Sequence, residues 1–220
     1  MSRSRVTAVY DGPMRDTASE PLRLMLYDRT CRGRGPLPGL SHAWSAGGIL
    51  YGALRRIDAW HGVSSWAEGL DWLVEKSANR RIAEVQFWGH GEWGCAFIGE
   101  EKIDVRSLVP GHEHHAHLLA LKARLVPDGQ ALWWFRTCET FGTRAGQDFA
   151  RAWTRFLGCR AASHTYVINI LQSGLSVLAP GEEPSWSEDE GVMPGAPRAR
   201  PSHLRAPRTI TCFHGAVPPG

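Results

Sequence analysis

Two stretches decide the fold of this chain: Ala83-Glu84-Val85-Gln86-Phe87-Trp88-Gly89-His90-Gly91 and Ala131-Leu132-Trp133-Trp134-Phe135-Arg136-Thr137-Cys138. Each is a short run that breaks off at a residue able to do chemistry. Ala131–Phe135 is apolar throughout, as expected of a strand covered on both faces. Ala83–Trp88 reads as its companion and ends in a Gly-His-Gly turn. Working outward, Leu22–Tyr27 predicts a first strand running into Asp28, and His164–Ile170 predicts a later one. Cys95–Ile98 predicts a short strand returning from the Gly-His-Gly turn.

Helical patterns lie between these strands. Ser65–Ser77 opens with Ser65 and Glu68 in capping-box spacing and carries Trp66, Leu70, Leu73 and Val74 on one stripe. His115–Leu125 follows, with Pro127 as its stop. Gly146–Leu157 places Phe149, Trp153, Phe156 and Leu157 on one face, with Gly158 as the C-terminal cap. Trp44–Arg55 suits a helix by its apolar spacing, but Gly47 and Gly48 weaken it, and Arg56–His61 leans towards a short strand. Alternating strands and helices predict an α/β three-layer sandwich, with a mainly parallel central sheet and helices on both faces.

Composition bounds the function. The chain has 220 residues, 43% of them hydrophobic. That predicts one domain, placed at 22–191, between an N-terminal extension (1–21) and a Pro/Arg-rich tail (192–220). Ten Trp and seven Phe exclude a chain disordered throughout. No apolar run approaches the roughly 18 residues of a membrane span. The opening MSRSRVTAVYDG lacks the apolar core of a signal peptide, so a cytoplasmic protein is expected. Net charge is +3, yet Arg198, Arg200, Arg205 and Arg208 stand in a tail without acids and leave the body at −1. A basic face for nucleic acid is therefore not expected. The five Cys show no CxxC and read as reduced thiols. The segments Thr30–Gly39 and Gly191–Gly220 are loop-like by their Gly and Pro content, with one edge strand expected within Thr209–Phe213.

In open α/β sheets, ligands bind where loops converge at the carboxyl ends of the strands. Here that edge gathers Asp28, His90-Gly91, Cys138 and Gln172-Ser173. An imidazole beside a thiol can take up its proton or supply one to a leaving amine. The backbone N–H groups of Gly91 and Cys138 are candidate oxyanion donors. No cofactor is needed for such chemistry.

The strings Gln86-Phe87-Trp88-Gly89-His90-Gly91 and Phe135-Arg136-Thr137-Cys138-Glu139 resemble the caspase-like cysteine peptidases, the group of caspases, metacaspases, gingipains, separases and legumains. His90 and Cys138 are 48 residues apart, and the resemblance extends over roughly Leu22 to Ile170. An uncharacterised bacterial branch is the nearest fit. The resemblance implies a cysteine endopeptidase acting on a protein or peptide substrate, with Cys138 as nucleophile and His90 as the catalytic imidazole. It also places the primary specificity pocket beside the first strand's end. Asp28 there, helped by Gln172 and Ser173, favours cleavage after Arg or Lys, whereas Arg29, Arg32 or Arg34 in the pocket would favour Asp. The caspase string Gln-Ala-Cys-Arg-Gly is absent, and Glu139 follows the thiol. These departures support the alternative, an inactive scaffold that binds a partner peptide.

Competing readings are plainer. Cys138 alone would pass for a buried small hydrophobe; the His-Gly at the matching strand end argues otherwise. Four His within His112–His117 invite a zinc site, but the pattern lacks HExxH and sits at a helix start, so a solvated cluster is expected and no metal site is assigned. The many Trp are expected to pack the core and the site walls.

Overall fold

The computed structural model describes residues 20–33 and 38–218. In chain order it holds β1 (Leu22–Asp28), α1 (Leu40–Ala53), β2 (Ala59–Val63), α2 (Trp66–Lys76) and β3 (Ile82–Trp88). Next come β4 (His90–Glu92), β5 (Cys95–Ile98), β6 (Glu101–Ile103), a single 3-10 turn at Val105–Leu108 and α3 (His115–Lys122). The remainder is β7 (Leu132–Arg136), α4 (Thr143–Leu157), β8 (Arg160–Ser163), β9 (Leu171–Gln172), β10 (Ser176–Leu178) and β11 (Ile210–Thr211). Six strands form the central sheet in the order β10-β8-β7-β3-β1-β2. All neighbours are parallel except β10, which runs antiparallel to β8. The expected α/β architecture is present, with helices packed against a mostly parallel sheet.

Strand alternation sorts the core. Leu24, Leu26, Val85, Phe87, Trp133 and Phe135 point to the face covered by α2, α3 and α4, where Leu70, Leu121, Phe149 and Trp153 meet them. Met25 and Trp88 point the other way, to Tyr51 of α1 and Ile57. Trp134, Leu132 and Ala162 share that second face with Leu175 and Ile210. Each large side chain so buried stabilises the fold by about 1.5–3 kcal/mol. The face opposite the three helices is thus closed by α1 and by the chain's C-terminal segment together. None of the helices is long and apolar enough to cross a membrane among the described residues.

Several elements differ from expectation for physical reasons. The ambiguous segment forms a 14-residue helix, α1. Its glycines are not breakers but points of close approach: a Cβ on Gly47 would stand 2.7 Å from the Trp88 ring, and one on Gly48 2.6 Å from Trp60. The strand expected at His164–Ile170 is β8 instead, ahead of it. Gly158 takes a left-handed φ of 68° and turns the chain straight into the sheet. There the small Ala161 and Ala162 register against Trp133 and Trp134. Ser65 caps α2 by accepting the Glu68 N–H at 3.1 Å, but the Glu68 carboxylate accepts from Ser64, one residue earlier than a capping box requires. The helix expected to reach Leu125 ends at Lys122, because Leu125 bridges to Ile82 in extended backbone.

The Pro/Gly-rich segment after Gly191 is laid along the body rather than lacking fixed structure. β11 pairs antiparallel with β9, and Cys212 N–H donates to the Ile170 carbonyl at 2.9 Å. Tyr51 Oη lies 2.6 Å from the Cys212 carbonyl and 2.7 Å from that of His214. Composition underestimates this order because the donors come from α1 and β7.

Gly47→Ala tests the packing of α1. In an exposed helix the change gains about 1 kcal/mol. Against Trp88 it should instead destabilise by about 1–3 kcal/mol, read as a lower urea midpoint at unchanged m-value.

Candidate active site

The site is built from the two parallel strands at the centre of the sheet. β3 ends at Trp88, and after Gly89 the chain enters a second, three-stranded antiparallel sheet, β4-β5-β6. His90 opens that sheet, paired with Phe97, so the Gly-His-Gly string is a change of sheet rather than a simple turn. β7, next to β3, ends at Arg136, and Cys138 lies two residues on.

The turn after β7 is held from several sides. Thr137 and Thr140 hydroxyls are 2.7 Å apart, and Thr140 Oγ1 lies 3.2 Å from the Cys95 carbonyl oxygen. Gly94 N–H donates to Thr140 O, Glu139 N–H to Tyr166 O and Phe141 N–H to His164 O, at 2.9–3.0 Å. Glu139 sits in the left-handed region with φ 42°, a strain of about 1–3 kcal/mol of the kind found where the surrounding structure fixes a functional turn. Gly91 packs directly on this turn: a Cβ there would be 2.2 Å from Thr140 Oγ1 and 2.7 Å from the Cys138 carbonyl oxygen. The backbones that carry His90 and Cys138 are therefore in contact without a side chain between them.

His90 and Cys138 both line a cavity of about 580 Å³ at the carboxyl ends of β3 and β7. Its wall is largely apolar and includes Trp44 and Leu50 of α1, Trp88, Ile170 and Phe213. Trp44 stands edge-on to the His90 ring with centroids 5.7 Å apart. The Cys138 thiol points to the Ile168 carbonyl at 3.9 Å, and among the described residues no hydrogen bond joins it to His90. Burial pushes the Cys138 thiol above the ordinary range, and the Glu139 charge adds to that. Glu139 is itself raised, first by burial and then by Glu92. The Cys138 N–H donates to no group among the described residues, so it is available to an incoming oxygen.

The predicted residues divide. His90, Cys138 and Gln172 come together on the cavity. Gly91, packed on the Cys138 turn, and Asp28 do not line it. The Asp28 carboxylate is buried in its own loop, where it accepts from Thr30 N–H and Thr30 Oγ1, both at 2.7 Å, and from Gly99 N–H at 3.0 Å. Ser173 also faces away: its hydroxyl meets Thr209 Oγ1 at 2.8 Å and the His203 carbonyl at 3.2 Å. Of the alternative cations, Arg29 pairs with Glu68 on α2 and Arg32 is exposed, while Arg34 lies outside the described residues. In the His112–His117 cluster the His112 and His114 rings lie 5.2 Å apart with His114 buried, while His117 bonds Asp71 at 2.6 Å. Among the described residues no three His, Cys, Asp or Glu side chains converge as a metal site would require.

The residue missed by sequence reasoning is Arg136. It is 2% exposed and lines the cavity. Its guanidinium lies between the rings of Trp88 and Trp134, at 4.5 and 4.3 Å from their centroids. The available signal was an arginine closing an otherwise wholly apolar strand.

No protein-family model matches this sequence, and no curated protein matches it significantly. The fold and the site geometry therefore carry the functional reading.

His164, whose carbonyl anchors the Cys138 turn, is fully buried. Its Nδ1–H donates to the Ser173 carbonyl at 3.1 Å, and burial, with Arg136 nearby, pushes its pKa down to about 3. Unfolded, it protonates near 6.5. The unfolded chain then binds the extra proton below that pH, so stability is lost as pH falls through the window between the two values. From pH 7 to pH 5 this residue should lower the unfolding free energy by about 2 kcal/mol. Buried His114 acts in the same direction. Urea melts of the wild type and His164→Gln at the two pH values check this; the variant should show the smaller loss.

Proposed function

We propose that the chain is a cysteine-type peptidase in which Cys138 attacks a peptide carbonyl and His90 moves the protons. One observation carries the reading. Two side chains 48 residues apart in sequence, of the two types this chemistry needs, line a single cavity at the ends of adjacent parallel strands. The resemblance of the strings around them to caspase-like peptidases supports the same assignment.

In this reading the protonated thiol gives its proton to His90 as sulfur bonds to the carbonyl carbon. The oxyanion takes hydrogen bonds from the N–H groups of Cys138 and Gly91. His90 delivers the proton to the departing amine, leaving a thioester on Cys138. Water then attacks, giving a proton to His90 while the carbon–sulfur bond breaks, and the thiol is re-formed. Asp28 contributes nothing to specificity in this scheme, since it stands outside the cavity.

A second reading, a scaffold that binds a partner peptide without cutting it, draws on the raised Cys138 pKa and the thiol's contact with Ile168. Kinetics separate the two. A peptidyl electrophile should label wild type at Cys138, located by mass mapping of the five Cys. Cys138→Ala should lose both labelling and hydrolysis. His90→Ala should lower kcat/KM by about 10²–10⁴-fold. Alkylation of Cys138 should accelerate with pH through and beyond the usual thiol range. Unchanged labelling in Cys138→Ala removes the peptidase assignment. Peptide binding without hydrolysis, together with equal alkylation in His90→Ala, supports the scaffold.

A further inference from the structure

We infer that the outward face of α1, with Ile170 and Phe213 beside it, is a docking surface for an anionic lipid bilayer. The inference does not depend on the peptidase reading, since it concerns the rim of the cavity and no chemistry inside it.

α1 is patterned in reverse for a surface helix. Against the sheet it sets small residues: Gly48 and Gly52 lie under the Trp60 ring, and Tyr51 is the one large side chain it buries. On the exposed side, at steps of three and four, stand Ala43, Ala46, Ile49, Leu50, Ala53 and, just past the helix, Leu54. His42 is the one polar side chain exposed on the helix. Such a side ordinarily carries charges, yet no charged residue occurs from Leu40 to Leu54. Ile49 is 59% exposed and Leu54 52%. Ile170 and Phe213, still more exposed, line the same cavity as Leu40 and Leu50 and extend the patch beyond the helix. A lone exposed apolar side chain is ordinary, whereas a contiguous patch marks a surface that another apolar body covers.

The charges around the patch decide what that body is. Between Asp28 and Asp58 the chain has five arginines and no acid. Asp28 is taken up by Thr30 and Gly99, and Asp58 by Arg23. Arg29 is held by Glu68, and Arg56 by the Phe213 carbonyl. Arg32 and Arg55 are exposed and enter no ion pair among the described residues. Arg32 stands ahead of the helix, where its carbonyl accepts the Gly39 N–H at 3.0 Å, and Arg55 directly follows Leu54. An apolar helix face between two exposed cations matches the layering of a bilayer surface. The aliphatic side chains enter the acyl boundary, and the guanidinium groups meet the phosphates and carboxylates of anionic headgroups. A second copy of this chain fits less well. Twofold pairing on α1 would set Arg32 of one copy against Arg55 or Arg32 of the other, and like charges facing each other oppose association.

Sedimentation of the full chain with lipid vesicles tests this. Phosphatidylcholine vesicles containing phosphatidylserine should bind it at least tenfold tighter than phosphatidylcholine alone, and added salt should weaken that binding. Ile49→Gln with Leu54→Gln should lower the affinity for the anionic vesicles at least tenfold, and so should Arg32→Gln with Arg55→Gln. These positions are all exposed, so both variants should melt at the wild-type temperature. No binding to anionic vesicles, or equal binding to the two kinds of vesicle, overturns the inference. Anionic binding that both variants retain overturns it too, and assigns the lipid to the arginines of the C-terminal segment. Sedimentation velocity reports the other occupant: a wild-type dimer that Ile49→Gln with Leu54→Gln dissociates, with no vesicle binding, gives the face to a second copy and overturns the inference.

Discussion

The Arg136 guanidinium is the point on which the second face of the sheet depends. A charge at the end of the central strand β7 is tolerable only if its plane is covered and its donors are met. Trp88 from the neighbouring strand and Trp134 from the same strand cover it. Tyr51, Gln172 and two carbonyls of the last segment meet the donors. Those partners belong to α1, β9 and the stretch after β11, so one ion ties three segments distant in sequence to the end of β7. Removing a single partner would leave a buried donor unmet, which costs more than the bond itself contributes. Arg136 lines the cavity beside Cys138 together with three of the residues it holds, Tyr51, Gln172 and Cys212.

The carbonyls of Cys212 and His214 have a double role in this arrangement. They satisfy the cation, and they bring Cys212 and Phe213 to the cavity wall. Carbonyl dipoles reduce the cost of burying the guanidinium without cancelling its charge, unlike an ion pair. Glu139, next to the thiol in sequence, has its own pKa raised by burial and then by Glu92.

The legible and illegible parts of this protein differ by physical range. The runs at Ala83–Trp88 and Ala131–Phe135 announced the sheet centre because burial on both faces leaves its mark on consecutive residues. That His90 and Cys138 reach the same edge of the sheet follows from topology alone, since parallel neighbours end at the same edge. α1 was obscured by Gly47 and Gly48, whose reason is the rings of Trp88 and Trp60, not the local backbone. β8 was misplaced because Arg160–Ser163 carries little apolar signal; its strand character comes from the surface of Trp133 and Trp134. Asp28 continues a strand and so looks free to meet a substrate, whereas its partners, Thr30 and Gly99, come from a local turn and a distant one. The order of the C-terminal segment and the role of Arg136 escaped for a shared reason: each is defined by the other.

The bond between Tyr51 and the Cys212 carbonyl joins residues 161 positions apart. A ribosome releases the second long after the first. Until then the nascent chain has its thiol and its imidazole but neither the far wall of the cleft nor the acceptors that quiet its buried ion. The far wall of the cavity is therefore among the last parts of this fold to form, whatever the order in which the sheet assembles.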